Sequence, residues 1–178
     1  MKAHFKTLIS SDQLQQRVKS LGQQISQDFQ GKETTVVGVL KGAFVFMADL
    51  VRQLEMPLRC DFIRISSYDS QGKSGTLRLE FDLLQPIEGQ EVLVIEDILD
   101  TGKTLSYLMR HLENKKPKNI TFCTLLDKGL KPDLSALVKY VGFKVPRDFL
   151  VGYGLDYNGL YRQLPYIASV QKTFEDES

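Results

Sequence analysis

Between Glu91 and Leu105 the chain reads EVLVIEDILDTGKTL. Three carboxylates (Glu96, Asp97, Asp100) and two hydroxyls (Thr101, Thr104) fall within nine residues, with Gly102 and Lys103 between the hydroxyls. Carboxylates are too costly to bury unpaired, so they call for sugar hydroxyls, a hard cation or a proton that must move. Gly102 lets backbone approach a ligand closely, and Thr101 and Thr104 offer donors. The free amides opening a helix would add more donors and a partial positive charge, which suits a phosphate monoester. A phosphorylated sugar bound with Mg²⁺ satisfies all of these groups at once.

The flanking elements fit that chemistry. Val92–Ile95 is a short apolar, β-favouring run, dense enough for a strand buried on both faces. After the turn, Leu105, Leu108, Met109 and Leu112 recur at helical spacing. In a parallel sheet the turn then lies at the carboxyl end of a strand, where ligands bind. A Walker A loop is excluded, because that motif needs glycine five residues before Gly102, where this chain has Asp97. A plain turn with Asp100 as helix N-cap competes, but it leaves the density of acids and threonines unexplained.

The 178 residues suit one domain and are too few for two ordinary ones. Hydrophobic residues at 42% and charged residues at 25% are globular values. Net charge is +1 with no basic block, which argues against a nucleic-acid partner. Cys60 and Cys123 have no metal-ligand or CxxC spacing and read as buried thiols in a reducing compartment. The amino terminus lacks an apolar signal core, and no run approaches ~18 apolar residues. The expectation is a cytoplasmic protein without a membrane partner.

Ser10 or Ser11 caps a first helix carrying Leu14, Val18, Leu21, Ile25 and Phe29, ended by Gly31. A buried strand is expected over 34–40, a helix over 43–54 broken by Pro57, and a strand over 58–66. Residues 67–76 form a polar loop, the composition of a functional lid. Strands follow over 77–84, 120–126, 137–145 and 149–157, and the tail from Gln171 is solvated. Alternating strands and helices, without repeats or a linker, give one α/β domain, 1–178, with a largely parallel central sheet. His4, near a frayed start, and His111, in the central helix, receive no catalytic role.

The segment VLVIEDILDTGKTL resembles the 5-phosphoribosyl-1-pyrophosphate signature of the type I phosphoribosyltransferases. Its wording is most like that of the hypoxanthine and hypoxanthine-guanine members. LKGA (40–43), Ser67-Tyr68, LLDKG (125–129) and RDFLVGYGLDYNGLYRQLPYI (147–167) match further segments of that family in order. The resemblance implies the type I fold, helices flanking the sheet, and a small hood subdomain. The hood would take the terminal segments and the weaker strands at 58–84.

The resemblance also implies the activity: Mg²⁺-dependent transfer of 5-phosphoribosyl to hypoxanthine, and to guanine. The products are the nucleoside monophosphate (IMP, or GMP) and pyrophosphate. Thr101, Gly102, Lys103 and Thr104 would hold the 5-phosphate. Glu96 and Asp97 would hold the ribose hydroxyls beside a Mg²⁺. Lys41, Gly42 and Arg162 would hold the pyrophosphate, with the Leu40–Lys41 bond often cis in the family. Lys128 would donate to the purine six-position oxygen, which an ammonium can do for an oxopurine and not for adenine. Phe149 would stack on the base and Leu150 contact it through backbone, although the family more often has valine or isoleucine there. Asp156 would reach the purine edge and a second Mg²⁺. Asp100 would accept the purine's imidazole-ring proton, and Ser67 and Tyr68 would head the lid. A homodimer or homotetramer is the implied assembly. Two alternatives stand beside this: a regulator that reuses the fold to sense the sugar diphosphate, and a related transferase acting on another base.

Overall fold

In the computed structural model, residues 4–68, 76–129, 134 and 136–171 are described. Nine strands and three helices occur among them. In chain order they are β1 (His4–Ile9), α1 (Ser11–Asp28), β2 (Thr34–Leu40), α2 (Phe44–Val51), β3 (Leu58–Tyr68), β4 (Thr76–Phe81), β5 (Glu91–Leu99), α3 (Lys103–Glu113), β6 (Asn119–Asp127), β7 (Val138–Lys144), β8 (Leu150–Val151) and β9 (Ile167–Gln171).

The main sheet has the order β4-β3-β2-β5-β6-β7. Every pair is parallel except the antiparallel edge strand β4, which gives the largely parallel α/β architecture expected. Strands β2 and β5 lie at its centre, with Val36, Val37 and Val92 to Ile95 essentially excluded from solvent. One face packs on α1 and α2 through Val36, Leu93, Ile95, Leu21, Ile25 and Phe46. The other packs on α3 through Val37, Val94, Leu105, Leu108 and Leu112. Helix α1 opens with a capping box: Gln13 N donates to Ser10 Oγ (3.3 Å) and Ser10 N donates to Gln13 Oε1 (2.9 Å).

A second sheet, β1-β9-β8, is antiparallel throughout and built from the two ends of the chain. Strands β3 and β4 belong to the main sheet and not, as expected, to this smaller layer. They extend it because β2 pairs along its whole length with Leu58 to Arg64 of β3. Strand β3 runs to Tyr68 and β4 starts at Thr76, so three residues assigned to the polar loop are strand. The core of the lid expectation, 69–75, lies outside the described residues, as does the tail beyond Gln171.

Other departures have local causes. Helix α2 stops at Val51, and Gln53 and Leu54 close turns onto Leu50 and Val51 (2.8 and 3.3 Å) before Pro57. Strand β4 stops before Asp82, whose carboxylate takes the Leu83 amide (2.7 Å), His111 (2.9 Å) and Lys115 (2.8 Å). The strand expected over 149–157 shrinks to two residues, because Gly152, Tyr153 and Gly154 all have positive φ (96°, 48° and 104°). His4 is not frayed, since it pairs with Gln171 at the start of β1. Cys60 is exposed, contrary to the expectation, whereas Cys123 is buried. No helix among the described residues is long and apolar enough to cross a membrane.

Candidate active site

The carboxyl ends of β2, β5 and β6 open on one cavity of about 360 Å³, and the segment after β8 closes its far side. Glu96 and Asp97 are the last acidic residues within β5; Thr104 enters from α3. Lys41 and Gly42 enter from the turn after β2, and Lys128 from the end of β6. Phe149, Leu150, Asp156 and Arg162 complete the wall. Lys41, Glu96, Asp97 and Lys128 thus share one space although far apart in the chain, because a parallel sheet puts the turns after its strands at one edge.

Gly42 is fixed by close approach. A Cβ at this position would lie 1.5 Å from Asp97 Oδ2, so only glycine lets the Lys41–Gly42 turn touch the carboxylate. The Leu40–Lys41 peptide bond is cis. Glu96 Oε2 is buried with no hydrogen-bond partner. Burial, and then the charge of Asp97, hold the Glu96 carboxyl well above its ordinary range. Burial pushes Asp97 up to about 6, against the pull of the Ile98 amide, its own amide and the Arg162 guanidinium. Two crowded carboxyls with an orphaned oxygen are a place for positive charge.

Arg162 donates through Nη1 to Gly154 O (2.6 Å) and pairs through Nη2 with Asp156 Oδ1 (2.6 Å). The other Asp156 oxygen takes the Gly159 amide (2.7 Å). Phe149 is 54% exposed and meets Tyr157 edge-on at 5.4 Å, so one ring face is free to stack on a flat heterocycle. Lys128 is 11% exposed, and its Nζ lies 3.8 Å from Asp100 Oδ2 at the rim.

Not every expected residue faces this cavity. Asp100 lies outside the lining and is tied to it through Lys128. Thr101, Gly102 and Lys103 line a neighbouring cavity of about 720 Å³, so the turn stands between two spaces. Gly102 is the helix N-cap, at φ 75°, which replaces the Asp100 cap considered from sequence. Ser67 and Tyr68 are placed by backbone alone, paired with Leu77 and Thr76. Val39, Ile65, Ile98 and Leu155 also line the cavity but were not among the sequence candidates, since apolar residues in such positions read as core. Only the adjacency of Ile98 to Asp97 and of Leu155 to Asp156 could have signalled two of them. Among the described residues no group of three or more His, Cys, Asp or Glu could hold a metal. Glu96 and Asp97 form a pair, which fits a Mg²⁺ that takes one or two carboxylates and fills its other positions with water and substrate oxygens.

A doubly flanked parallel sheet with acids, a glycine turn and a guanidinium at its carboxyl edge defines a nucleotide- or sugar-phosphate-handling α/β protein. The family model described as Phosphoribosyl transferase domain matches residues 9–158, and the chain belongs to that family. Within it, the similarity is to the hypoxanthine(-guanine) phosphoribosyltransferases of type I. It is 47% identical over 165 residues to the hypoxanthine-guanine phosphoribosyltransferase of Bacillus subtilis, covering 91% of each chain. The crystal structure of a hypoxanthine-guanine phosphoribosyltransferase from Bacillus anthracis superposes with a TM-score of 0.87 at 47% identity, covering 96% of this chain and 100% of that one. The bifunctional protein TilS/HprT of Listeria innocua is 43% identical over 173 residues, 97% of this chain. The chain spans 27% of that protein's length.

Proposed function

We propose that this protein transfers the 5-phosphoribosyl group of 5-phosphoribosyl-1-pyrophosphate to hypoxanthine, with guanine a second acceptor, releasing pyrophosphate. The observation that carries this is the single cavity in which a carboxylate pair, a glycine turn, a guanidinium, an ammonium and an exposed aromatic face converge. Family membership and the similarity to hypoxanthine-guanine enzymes support it.

Residue roles follow from position and chemistry. Glu96 and Asp97 would hold the ribose hydroxyls and a Mg²⁺, and Asp156 would hold the purine edge and a second Mg²⁺. When bound, the cation supplies charge neutralisation at the pyrophosphate. Lys41, the Gly42 amide and Arg162 take the pyrophosphate oxygens, and Arg162 must exchange its pairing with Asp156 for them. The amides and hydroxyls from Thr101 to Thr104 hold the 5-phosphate at the start of α3. Phe149 stacks on the purine, Leu150 meets it through backbone, and Lys128 donates to its six-position oxygen. Asp100, already within reach of Lys128, accepts the imidazole-ring proton as the base attacks. Departure of pyrophosphate leaves positive charge on the ribosyl group, which the acidic wall stabilises. Ser67 and Tyr68 head the lid that excludes water from that centre. The terminal sheet acts as the hood of one domain over 1–178, in a homodimer or homotetramer that light scattering would read, in the cytoplasm.

The test is an assay of purified protein with the sugar diphosphate, Mg²⁺ and each of hypoxanthine, guanine, xanthine and adenine. Turnover with hypoxanthine and none with adenine is expected. No turnover with any 6-oxopurine would overturn the proposal.

A further inference from the structure

The loop that carries Asp156 and Arg162 begins with a backbone that little would hold by itself. Gly152, Tyr153 and Gly154 are three consecutive residues at positive φ, and the middle one has a side chain. Such a shape persists only where its surroundings over-determine it. Two bonds inside the loop do part of this: Tyr153 N to Leu164 O (2.8 Å) and Gly154 N to Arg162 O (3.0 Å). The hydrogen bond that leaves the loop, among the described residues, is from Tyr153 Oη to Asp49 Oδ2, at 2.5 Å. Asp49 sits on α2, the helix that continues from the Lys41–Gly42 turn, and Arg52 pairs with its other oxygen.

The two loops also touch directly. A Cβ on Gly154 would lie 2.1 Å from Gly42 O, so their backbones are in contact. Gly154 O in turn receives Arg162 Nη1. A series runs from Asp49 through Tyr153 to the Gly154 carbonyl and so to the Arg162 guanidinium. Its start is anchored on the helix that follows the Lys41–Gly42 turn.

We infer that Tyr153 and Asp49 are positioning residues. Their hydrogen bond sets the 152–162 loop in register with the Lys41–Gly42 turn, so that Arg162 and the turn can grip one pyrophosphoryl group together. Tyr153 is 6% exposed and belongs to the core; a phenylalanine would fill the same space. A buried hydroxyl adds one thing a phenyl ring does not, a directional bond to a particular partner. Burial, and then the bond to Asp49, push its phenol far above the ordinary value, so it remains a donor throughout the working pH range. The base-contacting pair Phe149–Leu150 is held separately, by pairing of β8 with β9. The two substrates should therefore respond differently when the bond is cut.

This inference rests on the proposed function for its kinetic arm only. Tyr153→Phe and Asp49→Ala should each raise KM for the sugar diphosphate about 10-fold, the scale of one lost hydrogen bond to a charged group. KM for hypoxanthine should stay within about twofold. The double variant should be no worse than either single one, and Asp49→Asn, which keeps an acceptor oxygen, should restore near wild-type KM. Hydrogen exchange followed by mass spectrometry supplies an arm independent of activity: amides of 40–46 and 152–164 should exchange faster in Tyr153→Phe, with the rest unchanged. Equal rises in both KM values, additive effects in the double variant, or unchanged exchange in those two segments would overturn the inference. A wild-type protein inactive with every purine would sink the functional proposal, and exchange alone would then decide the clamp.

Discussion

Replacing Asp97 by asparagine should make the ligand-free protein more stable near neutral pH, although the residue stands in the middle of the site. In the unfolded chain its carboxyl titrates at the ordinary 3.8, and in the folded protein burial pushes it up to about 6. Below the lower value both states hold the proton and the group contributes nothing. As pH rises through the interval, the unfolded chain releases a proton that the folded protein retains, and stability falls until pH passes the upper value. A displacement of that size corresponds to about 3 kcal/mol for full burial. Solvent reaching the half-buried pair through the cleft screens part of it, leaving about 1–2 kcal/mol. For a chain of this length that moves Tm by roughly 2–8 °C. Glu96 shifts in the same direction, through burial and then the charge of Asp97, so removing the Asp97 charge relieves both carboxyls. Asparagine retains an oxygen for the Ile98 amide, which now donates to Asp97 Oδ1. The assay is thermal unfolding by circular dichroism, metal-free, for both proteins from near pH 4 to near pH 8. The curves should coincide at the acid end, diverge as pH rises, and run parallel above about 6. With Mg²⁺ and the sugar diphosphate the order should reverse, because only the wild type gains ligand stabilisation. Equal or lower stability of the variant at the alkaline end would refute the account of a strained carboxylate pair.

Gly42→Ala should lower kcat/KM by about 100-fold with an unchanged circular dichroism spectrum, since its Cβ would displace the Asp97 carboxylate from the turn. Asp100→Asn should reduce kcat by roughly 10²–10⁴ with sugar-diphosphate KM nearly unchanged, and wild-type turnover would remove it as proton acceptor. Lys128→Ala should raise KM for 6-oxopurines by about 10-fold or more and leave sugar-diphosphate KM alone, measured in the same assay. Asp82→Asn, which releases His111 and Lys115 from the end of β4, should destabilise by about 1 kcal/mol in urea unfolding at neutral pH. Burial alone would raise the Asp82 carboxyl, but the bonds from Lys115, His111 and the Leu83 amide hold it low. That contribution is present above the unfolded pKa and disappears as pH falls through the lowered folded one, so wild type and variant should converge in acid.

The acidic corner was legible in the sequence because strand, acids, turn and helix are contiguous between Glu91 and Leu105. Local patterns carried it: a buried run, a glycine in a turn of acids and hydroxyls, and an amphipathic stripe of Leu105, Leu108 and Leu112, although the cap proved to be Gly102 and not Asp100. Lys41, Lys128 and the 149–162 segment have no such local mark. Periodicity gives the existence of a strand and not its neighbours: Lys41 and Lys128 meet through the order β2-β5-β6, and the 149–162 segment arrives from the separate sheet β1-β9-β8. The family resemblance supplied what the pattern could not. Strands β1 and β9 escaped for a related reason. His4 to Leu8 is mostly solvent-facing, so no apolar alternation announces β1, and its partner lies some 160 residues later. The brevity of β8 escaped because its apolar composition continues past Val151, while the backbone at Gly152–Gly154 does not.

That division has a physical basis. Stability resides in two apolar layers, one against α1 and α2 and the other against α3, both centred on β2 and β5. The same two strands end in the Lys41–Gly42 turn and the Glu96–Asp97 pair, features that weaken the ligand-free fold: an orphaned buried oxygen, a carboxyl raised by burial, and a glycine pressed on a carboxylate. Where local sequence preference and the fold agree, as in α1 or the middle of β5, the chain specifies its own structure. At the Glu96–Asp97 pair and the Gly152–Gly154 backbone they conflict, and both lie beside the cavity, where a bound polyanion with its cation would relieve the crowded carboxyls. The ligand-free protein therefore holds its site against a few kcal/mol of local strain supported by the cores behind it. Substitutions in those cores should reach the site through the ends of β2 and β5 before they unfold the chain.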